Sequence, residues 1–436
     1  MNRSTRTRRY IAAVPAALTA AALLLASCGD DSDSGDSTAA AGSSAASSAS
    51  SGEHDHDHGS GEAEAVDAPQ PRILTTYDGG ILTLDANTLE VISDEKIEGF
   101  NRLNPVGDGR HAVVSTSAGF QLFDAGVWTE PHGDHTHSYA GDPELTDKVY
   151  EADKPGHVVR HDGKLILFSD GDGKIQTFNA EDFRDVTGGE GAPEPTVRTT
   201  DDPHHGVAIE LADGTLVRTE GTEEERDTVL VEDSDGKEIA SSSECPGVHG
   251  EAAAQGEAAA FGCEDGLLVY KDGEFTKIQA TVDYARTGNQ AGSEESTIVL
   301  GDYKTDKDAE LERPTKITLT DTAAKTTKVV DIDTSYSFRS LGRGPAGEAL
   351  ILGTDGKLHV FDPSSGEETA AWDVVGEWEE PIEWQEARPT LFVQGDRAYV
   401  SEPSSKKLHI VDLSNGKILK SAELPEAPNE LTGVTG

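Results

Sequence analysis

The strongest constraint on the fold is a short apolar run that ends on a polar residue and keeps coming back. It reads Ile81-Leu82-Thr83-Leu84-Asp85, Phe120-Gln121-Leu122-Phe123-Asp124, Ile175-Gln176-Thr177-Phe178-Asn179, Leu267-Leu268-Val269-Tyr270-Lys271, Leu358-His359-Val360-Phe361-Asp362 and Leu408-His409-Ile410-Val411-Asp412. Turn pairs such as Asp170-Gly171 and Asp272-Gly273 punctuate the stretches around these runs, and strongly periodic helical segments are almost absent. Most spacings fall at about 40–55 residues, the size of a four-stranded propeller blade. The expectation is therefore an all-β propeller over residues 72–436. Its innermost strands should start near residues 102, 157, 205, 249, 286, 338 and 389. That count gives seven blades, with six or eight left open. The segment 72–92 should complete the sheet of the last blade and close the ring, which removes exposed sheet edges.

The N-terminus reads as an export address. Arg3, Arg6, Arg8 and Arg9 precede an apolar stretch from Ile11 to Ala26, which is short and Ala-rich for a membrane span. Leu25-Ala26-Ser27-Cys28 follows. It resembles the bacterial lipobox, in which small residues admit a peptidase and the thiol takes the diacylglycerol. Residues 1–27 are thus expected to be a lipoprotein signal peptide, with Cys28 lipidated and the chain anchored to the outer side of the cell membrane. The Arg8-Arg9 pair leaves Sec and twin-arginine export both open. With Cys28 lipidated, Cys245 and Cys263 remain. An even pair in an oxidising compartment reads as a disulfide between neighbouring strands, the alternative being a metal-thiolate pair. The formal charge is −45, from 81 acidic and 36 basic residues. That excludes a nucleic-acid binder, which needs basic patches.

Residues 28–71 have the Ser/Ala/Gly/Asp composition of a disordered linker. Within them, Glu53-His54-Asp55-His56-Asp57-His58 alternates imidazole and carboxylate, a combination suited to exchangeable binding of Zn²⁺, Cu²⁺ or Ni²⁺. A second cluster, Pro131-His132-Gly133-Asp134-His135-Thr136-His137, falls in a connection outside the repeat. It reads as a second metal site, a funnel leading to one, or a polar loop.

The third pattern is positional. Gly156-His157, His204-His205-Gly206 and Val248-His249-Gly250 precede or open three consecutive innermost strands, 48 and 44 residues apart. Innermost strands line the channel of a propeller, so His157, His205 and His249 are expected to converge there. His204 is an alternative to His205, because register is known only to within a residue. Three imidazoles with one more ligand form a zinc pattern. Asp170, Asp172, Asp201 and Asp202 are unranked candidates for the fourth. Neutral imidazoles are required, so affinity should fall below about pH 6.5. His161 shares a face with His157 and is expected deeper in the channel or structural. His111, His359 and His409 are expected to be structural.

With these motifs, the HGDHTH segment and the PHHG and VHGE blade starts, the chain resembles the AztD-type zinc metallochaperones over about residues 72–436. The resemblance implies a propeller that binds Zn²⁺ outside the cytoplasmic membrane and transfers it to the solute-binding protein of a zinc ABC importer. It places the bound metal in the propeller, and further metal on the flexible His tract. The lipid anchor departs from a freely diffusing periplasmic chaperone. The expected protein is a monomer and not an enzyme. Two other readings compete. A metal-dependent hydrolase would use the open fourth position to activate water. A scaffold for a protein or carbohydrate would use Trp372, Trp378 and Trp384 as a stacking cluster.

Overall fold

The computed structural model describes residues 63–436. Cys28, the signal segment and the His54/His56/His58 tract lie outside the described residues. Within them there are eight four-stranded antiparallel sheets in series, one three-stranded sheet, and no α-helix, only two short 3₁₀ turns. The innermost strands are Arg102–Pro105, Pro155–His161, Ala208–Glu210, His249–Ala254, Gln290–Ala291, Leu341–Arg343, Leu391–Gln394 and Leu431–Val434. We number the blades 1 to 8 in that order.

The architecture is the expected propeller, but it has eight blades where the repeat count favoured seven. The source of the difference is the closing blade. Leu431–Val434 at the C-terminus is an innermost strand in its own right, pairing with Arg72–Tyr77 from Arg72↔Val434 to Thr75↔Leu431. Arg72–Tyr77 then pairs with Gly80–Asp85, which pairs with Val91–Lys96. The N-terminal strands therefore build their own blade with the C-terminus and do not extend the one that begins at Leu391. A four-residue strand at a chain end carries too little pattern to be counted.

The folded region also begins earlier than residue 72. Glu64–Val66 pairs with His135–Ala140, which pairs with Val127–His132. Apolar side chains gather between neighbouring blades. Phe168 and Ile166 of blade 2 pack with Ile209 and Val217 of blade 3 and Phe261 of blade 4, while Ile73 and Leu82 of blade 8 pack with Tyr399 and Leu408 of blade 7. Burial on both faces of each sheet explains the continuous apolar runs. It is also what holds each innermost strand in place beside the channel. Among the described residues, no helix is long and apolar enough to cross a membrane.

Candidate metal centre

All innermost strands begin at one face of the ring, the leading face. In blade 2 the start is irregular: pairing shifts between Pro155 and Val158, with Gly156-His157 in the bulge. In blade 4 it shifts again between His249 and Glu251, across Gly250. Bulges re-aim side chains near sites. Gly250 has φ +71°, and a Cβ there would meet Gln290 Oε1 at 2.4 Å, so the bulge is reserved for glycine. His205 lies in the connection ahead of Ala208–Glu210. The structure brings His157, His205 and His249 together, with candidate ligand atoms all within 4.8 Å of one another. Ring centroids are 5.1 Å apart for His157–His205, 5.5 Å for His157–His249 and 5.0 Å for His205–His249.

The hydrogen bonds settle which nitrogens are free. His205 Nδ1 donates to Asp170 Oδ2 at 2.6 Å, and His249 Nδ1 donates to the Gly288 carbonyl at 2.6 Å. In the tautomer these bonds select, both rings turn the lone pair of Nε2 away from Asp170 and Gly288, free for a metal. His157 Nδ1 stands 3.7 Å from Glu251 Oε2. An acceptor behind a ligating imidazole is the usual outer shell of a metal site; His205 and His249 have one, while Glu251 stands too far from His157 for a hydrogen bond. In a tetrahedral zinc site the nitrogens would lie about 3.3 Å apart, so each would move inward by less than about 1 Å. The donor set fits a zinc ion.

Electrostatics favour the neutral ligands. Burial, then the charges His249 and His205 would carry, hold His157 well below the ordinary histidine value. Burial and His205 hold His249 down to about 3. Burial pushes the Glu251 carboxyl up to about 8. The sequence reading did not single out Glu251. Strand alternation alone would not have found it, because the bulge across Gly250 breaks the regular register between His249 and Glu251.

The other predicted residues fall elsewhere. His204 does not replace His205. It is buried, with Nδ1 donating to the Asp202 carbonyl and Nε2 accepting from Thr219 Oγ1, both at 2.9 Å. Of the four aspartates, only Asp170 touches a clustered imidazole, and it does so at Nδ1. Asp172 pairs with Lys174 at 3.2 Å, and Asp201 and Asp202 are exposed. His161 is buried against Glu257 at 3.1 Å. His111, His359 and His409 are buried in strand pairs with local partners: Asp108, Glu368 and Ser421.

His132, His135 and His137 form a second cluster within the same 4.8 Å limit, all three exposed. They sit on an ordered hairpin rather than a loop, turning at Gly133-Asp134 with His132 opposite His135. His132 Nδ1 lies 3.0 Å and His135 Nε2 3.1 Å from His137 Nε2. The hairpin leaves blade 1 from the end of its third strand, Gly119–Asp124. The third strand runs parallel to the first, so it ends at the trailing face. The cluster therefore lies at the face opposite the His157, His205 and His249 centre. Cys245 and Cys263 are joined by a disulfide, just ahead of His249 and at the end of its partner strand. Trp372, Trp378 and Trp384 do not stack as one platform. Trp372 packs against the core of blades 6 and 7, Trp378 donates to the Gly353 carbonyl at 2.8 Å, and Trp384 meets Phe100 edge-on. A cleft of about 460 Å³ near Tyr77, Phe100 and Glu386 contains no imidazole or thiol.

No family model matches the chain. A curated protein described as zinc chaperone AztD, from Citrobacter koseri, is 23% identical over 369 residues, spanning 80% of this chain and 84% of that protein. The crystal structure of Citrobacter koseri AztD aligns with a TM-score of 0.72 at 22% identity, over 85% of this chain and 99% of that one. The structure of its apo form aligns with a TM-score of 0.71 at 21% identity, over 84% and 98%. These likenesses establish the propeller fold, and they agree with the resemblance to AztD-type proteins carried by the histidine motifs.

Proposed function

We propose that this protein is an extracytoplasmic zinc chaperone that holds Zn²⁺ on His157, His205 and His249 and passes it to the solute-binding protein of a zinc ABC importer. The observation that carries the reading is the convergence of three imidazoles from consecutive blades, two of them with Nδ1 already committed. Zinc is preferred over Cu²⁺ or Ni²⁺ because the relative above is described as a zinc chaperone; the ligands alone suit all three. Zinc here is cargo. Three imidazole ligands leave a fourth position at which an acceptor would offer competing donors before the last imidazole lets go, with no bond made or broken beyond coordination. His132, His135 and His137, with His54, His56 and His58, would hold further zinc at accessible, exchangeable positions. The disulfide fits an oxidising compartment. The signal at residues 1–27 and the lipid on Cys28 would keep the monomer at the outer surface of the membrane.

The test is zinc content and affinity of a chain starting at residue 59, which lacks the tract but keeps every described residue. It is compared with the same chain carrying His157→Ala, His205→Ala and His249→Ala. One tightly held zinc lost in the triple variant, while a His132→Ala, His135→Ala, His137→Ala variant keeps it, is the expected result. A parent with no tight zinc refutes the propeller centre.

A further inference from the structure

Blade 5 supplies no imidazole to the centre, yet it holds the group that anchors one. The carbonyl that accepts from His249 Nδ1 at 2.6 Å belongs to Gly288, in the connection that leads into the innermost strand Gln290–Ala291. A peptide group joins the carbonyl of one residue to the N–H of the next in one conjugated plane, so the other end of this peptide is the Asn289 N–H. That N–H donates to Asp302 Oδ1 at 3.1 Å, and the Gly288 N–H donates to the same oxygen at 2.6 Å. Asp302 Oδ2 accepts from Asn289 Nδ2 at 2.9 Å, and the Asp302 N–H donates back to the Asn289 carbonyl at 3.0 Å. Asp302 ends the second strand of blade 5, Ile298–Asp302, and is buried. These four hydrogen bonds pin the Gly288–Asn289 peptide with its carbonyl aimed at His249.

A metal-ligating imidazole gains basicity from whatever accepts its second N–H, and most from an anion. His205 has Asp170 in direct contact, and His157 faces Glu251 at 3.7 Å. Behind His249 the acceptor is a neutral carbonyl. A carboxylate bonded to the N–H of that same peptide draws electron density toward its oxygen, because hydrogen bonds in a chain strengthen one another. The cations on this side of His249 oppose a bound metal. Arg286 Nε lies 3.2 Å from the point where a Cβ on Gly288 would sit, and Lys304 Nζ lies 3.6 Å from Asp302 Oδ2. Glu264 answers Arg286 at 4.0 Å; Asp302 answers Lys304 and, through the peptide, reaches the ring. We infer that Asp302 is a positioning residue of the metal centre: through the Gly288–Asn289 peptide it fixes the tautomer and aim of His249 and raises the basicity of its Nε2, as Asp170 does directly for His205. This rests on the zinc-chaperone reading and adds blade 5 to the three blades that supply ligands.

The experiment uses the full chain loaded with one equivalent of zinc, its histidines isotope-labelled for NMR. Asp302→Asn keeps an acceptor at Oδ1 and removes the charge. Zinc affinity, from competition with a chromophoric chelator, should fall by about three- to tenfold, at or below the low end of what a directly bonded partner costs. The Nδ1–H proton resonance of His249 should move upfield while that of His205 stays in place, a split that a merely structural role would not produce. An affinity change below about twofold, an unmoved His249 resonance, or both resonances moving together overturns the inference and leaves the zinc centre standing. A parent that holds no zinc fails the functional reading first, and this inference with it. If Asp302→Asn does not fold, Lys304→Gln removes the cation beside Oδ2 and keeps the backbone bonds between residues 304 and 286. The His249 resonance should then move downfield alone, and a fixed resonance overturns the inference too.

Discussion

Removing Asp170 should separate holding the metal from holding the fold. Its Oδ2 accepts a 2.6 Å hydrogen bond from His205 Nδ1, which fixes the ring and raises the basicity of Nε2. Its Oδ1 is buried without a partner, pressed so closely to the chain that a Cβ on Gly156 would stand 2.1 Å away. Asp170→Ala frees the His205 ring and removes a negative charge from the shell behind a cationic metal. Loss of such an outer-shell partner costs roughly 10- to 100-fold in metal affinity, or about 1.4–2.7 kcal/mol. Asp170→Asn keeps an acceptor and loses the charge, so it should fall between parent and alanine.

The effect on the metal-free fold should be much smaller. The lost charge-assisted hydrogen bond is worth about 1.5–3 kcal/mol, but an unpaired buried carboxylate oxygen disappears with it, at about 1–3 kcal/mol. The two nearly cancel, leaving a net change within about 1 kcal/mol. The assay is competitive zinc titration against a chromophoric chelator, paired with urea unfolding of the metal-free domain. Unchanged affinity in Asp170→Ala would refute the outer-shell role. So would an affinity loss accompanied by a stability loss above about 2 kcal/mol, because the site would then have failed with its scaffold.

Other predictions follow from the same geometry. Gly206→Ala puts a Cβ 2.4 Å from the Phe168 ring and 2.5 Å from Thr219 Oγ1; overpacking of this kind costs about 1–3 kcal/mol, and the displaced connection should weaken zinc binding as well, both read in the assays above. Replacing Cys245 and Cys263 by Ser opens a loop with a sequence separation of 18; the metal-free domain should lose about 3 kcal/mol in urea, and an unchanged midpoint would contradict this. For pH, the folded His157 and His249 sit below the ordinary value, His249 at about 3, so the unfolded chain takes up their protons first. Metal-free stability should then fall as pH drops below about 6.5, by up to about 1.4 kcal/mol per unit for each histidine, and the triple alanine variant should flatten that slope. The opposite sign holds for Glu251, whose folded value of about 8 makes metal-free stability decline as pH rises from about 4.5 to 8; Glu251→Gln should abolish that decline in thermal unfolding.

The parts of this structure legible in the sequence are those set by local chemistry and repetition. Asp-Gly turns and apolar runs marked the strands, and a histidine at the same blade position three times running marked the channel. The eighth blade was hidden because its innermost strand, Leu431–Val434, is recognisable only through pairing with residues more than 350 positions earlier. The choice between His204 and His205 turns on packing: one ring is sealed between Phe168 and Thr219, while its neighbour is turned toward the channel. Nothing in a His-His dipeptide says which is which. Asp170 was one of four equivalent aspartates until the turn of blade 2 met the connection into blade 3. The His132–His137 hairpin was within reach of the sequence, since Gly133-Asp134 is a two-residue turn signal and His135 and His137 alternate as strand neighbours do.

The lowered histidine values also change what the centre is suited to do. Unperturbed imidazoles would begin to lose zinc to protons below about pH 6.5, as the sequence reading expected. Burial holds His157 and His249 below that value, so at these two ligands protons compete with zinc less than at ordinary imidazoles, and a competing ligand is the route of discharge at neutral pH. That places the burden of release on whatever approaches the leading face. The hairpin cluster at the trailing face is exposed. On the proposed reading, one chain carries a half-buried store and an exposed collecting point on opposite faces, reached by diffusion or by a partner able to visit both.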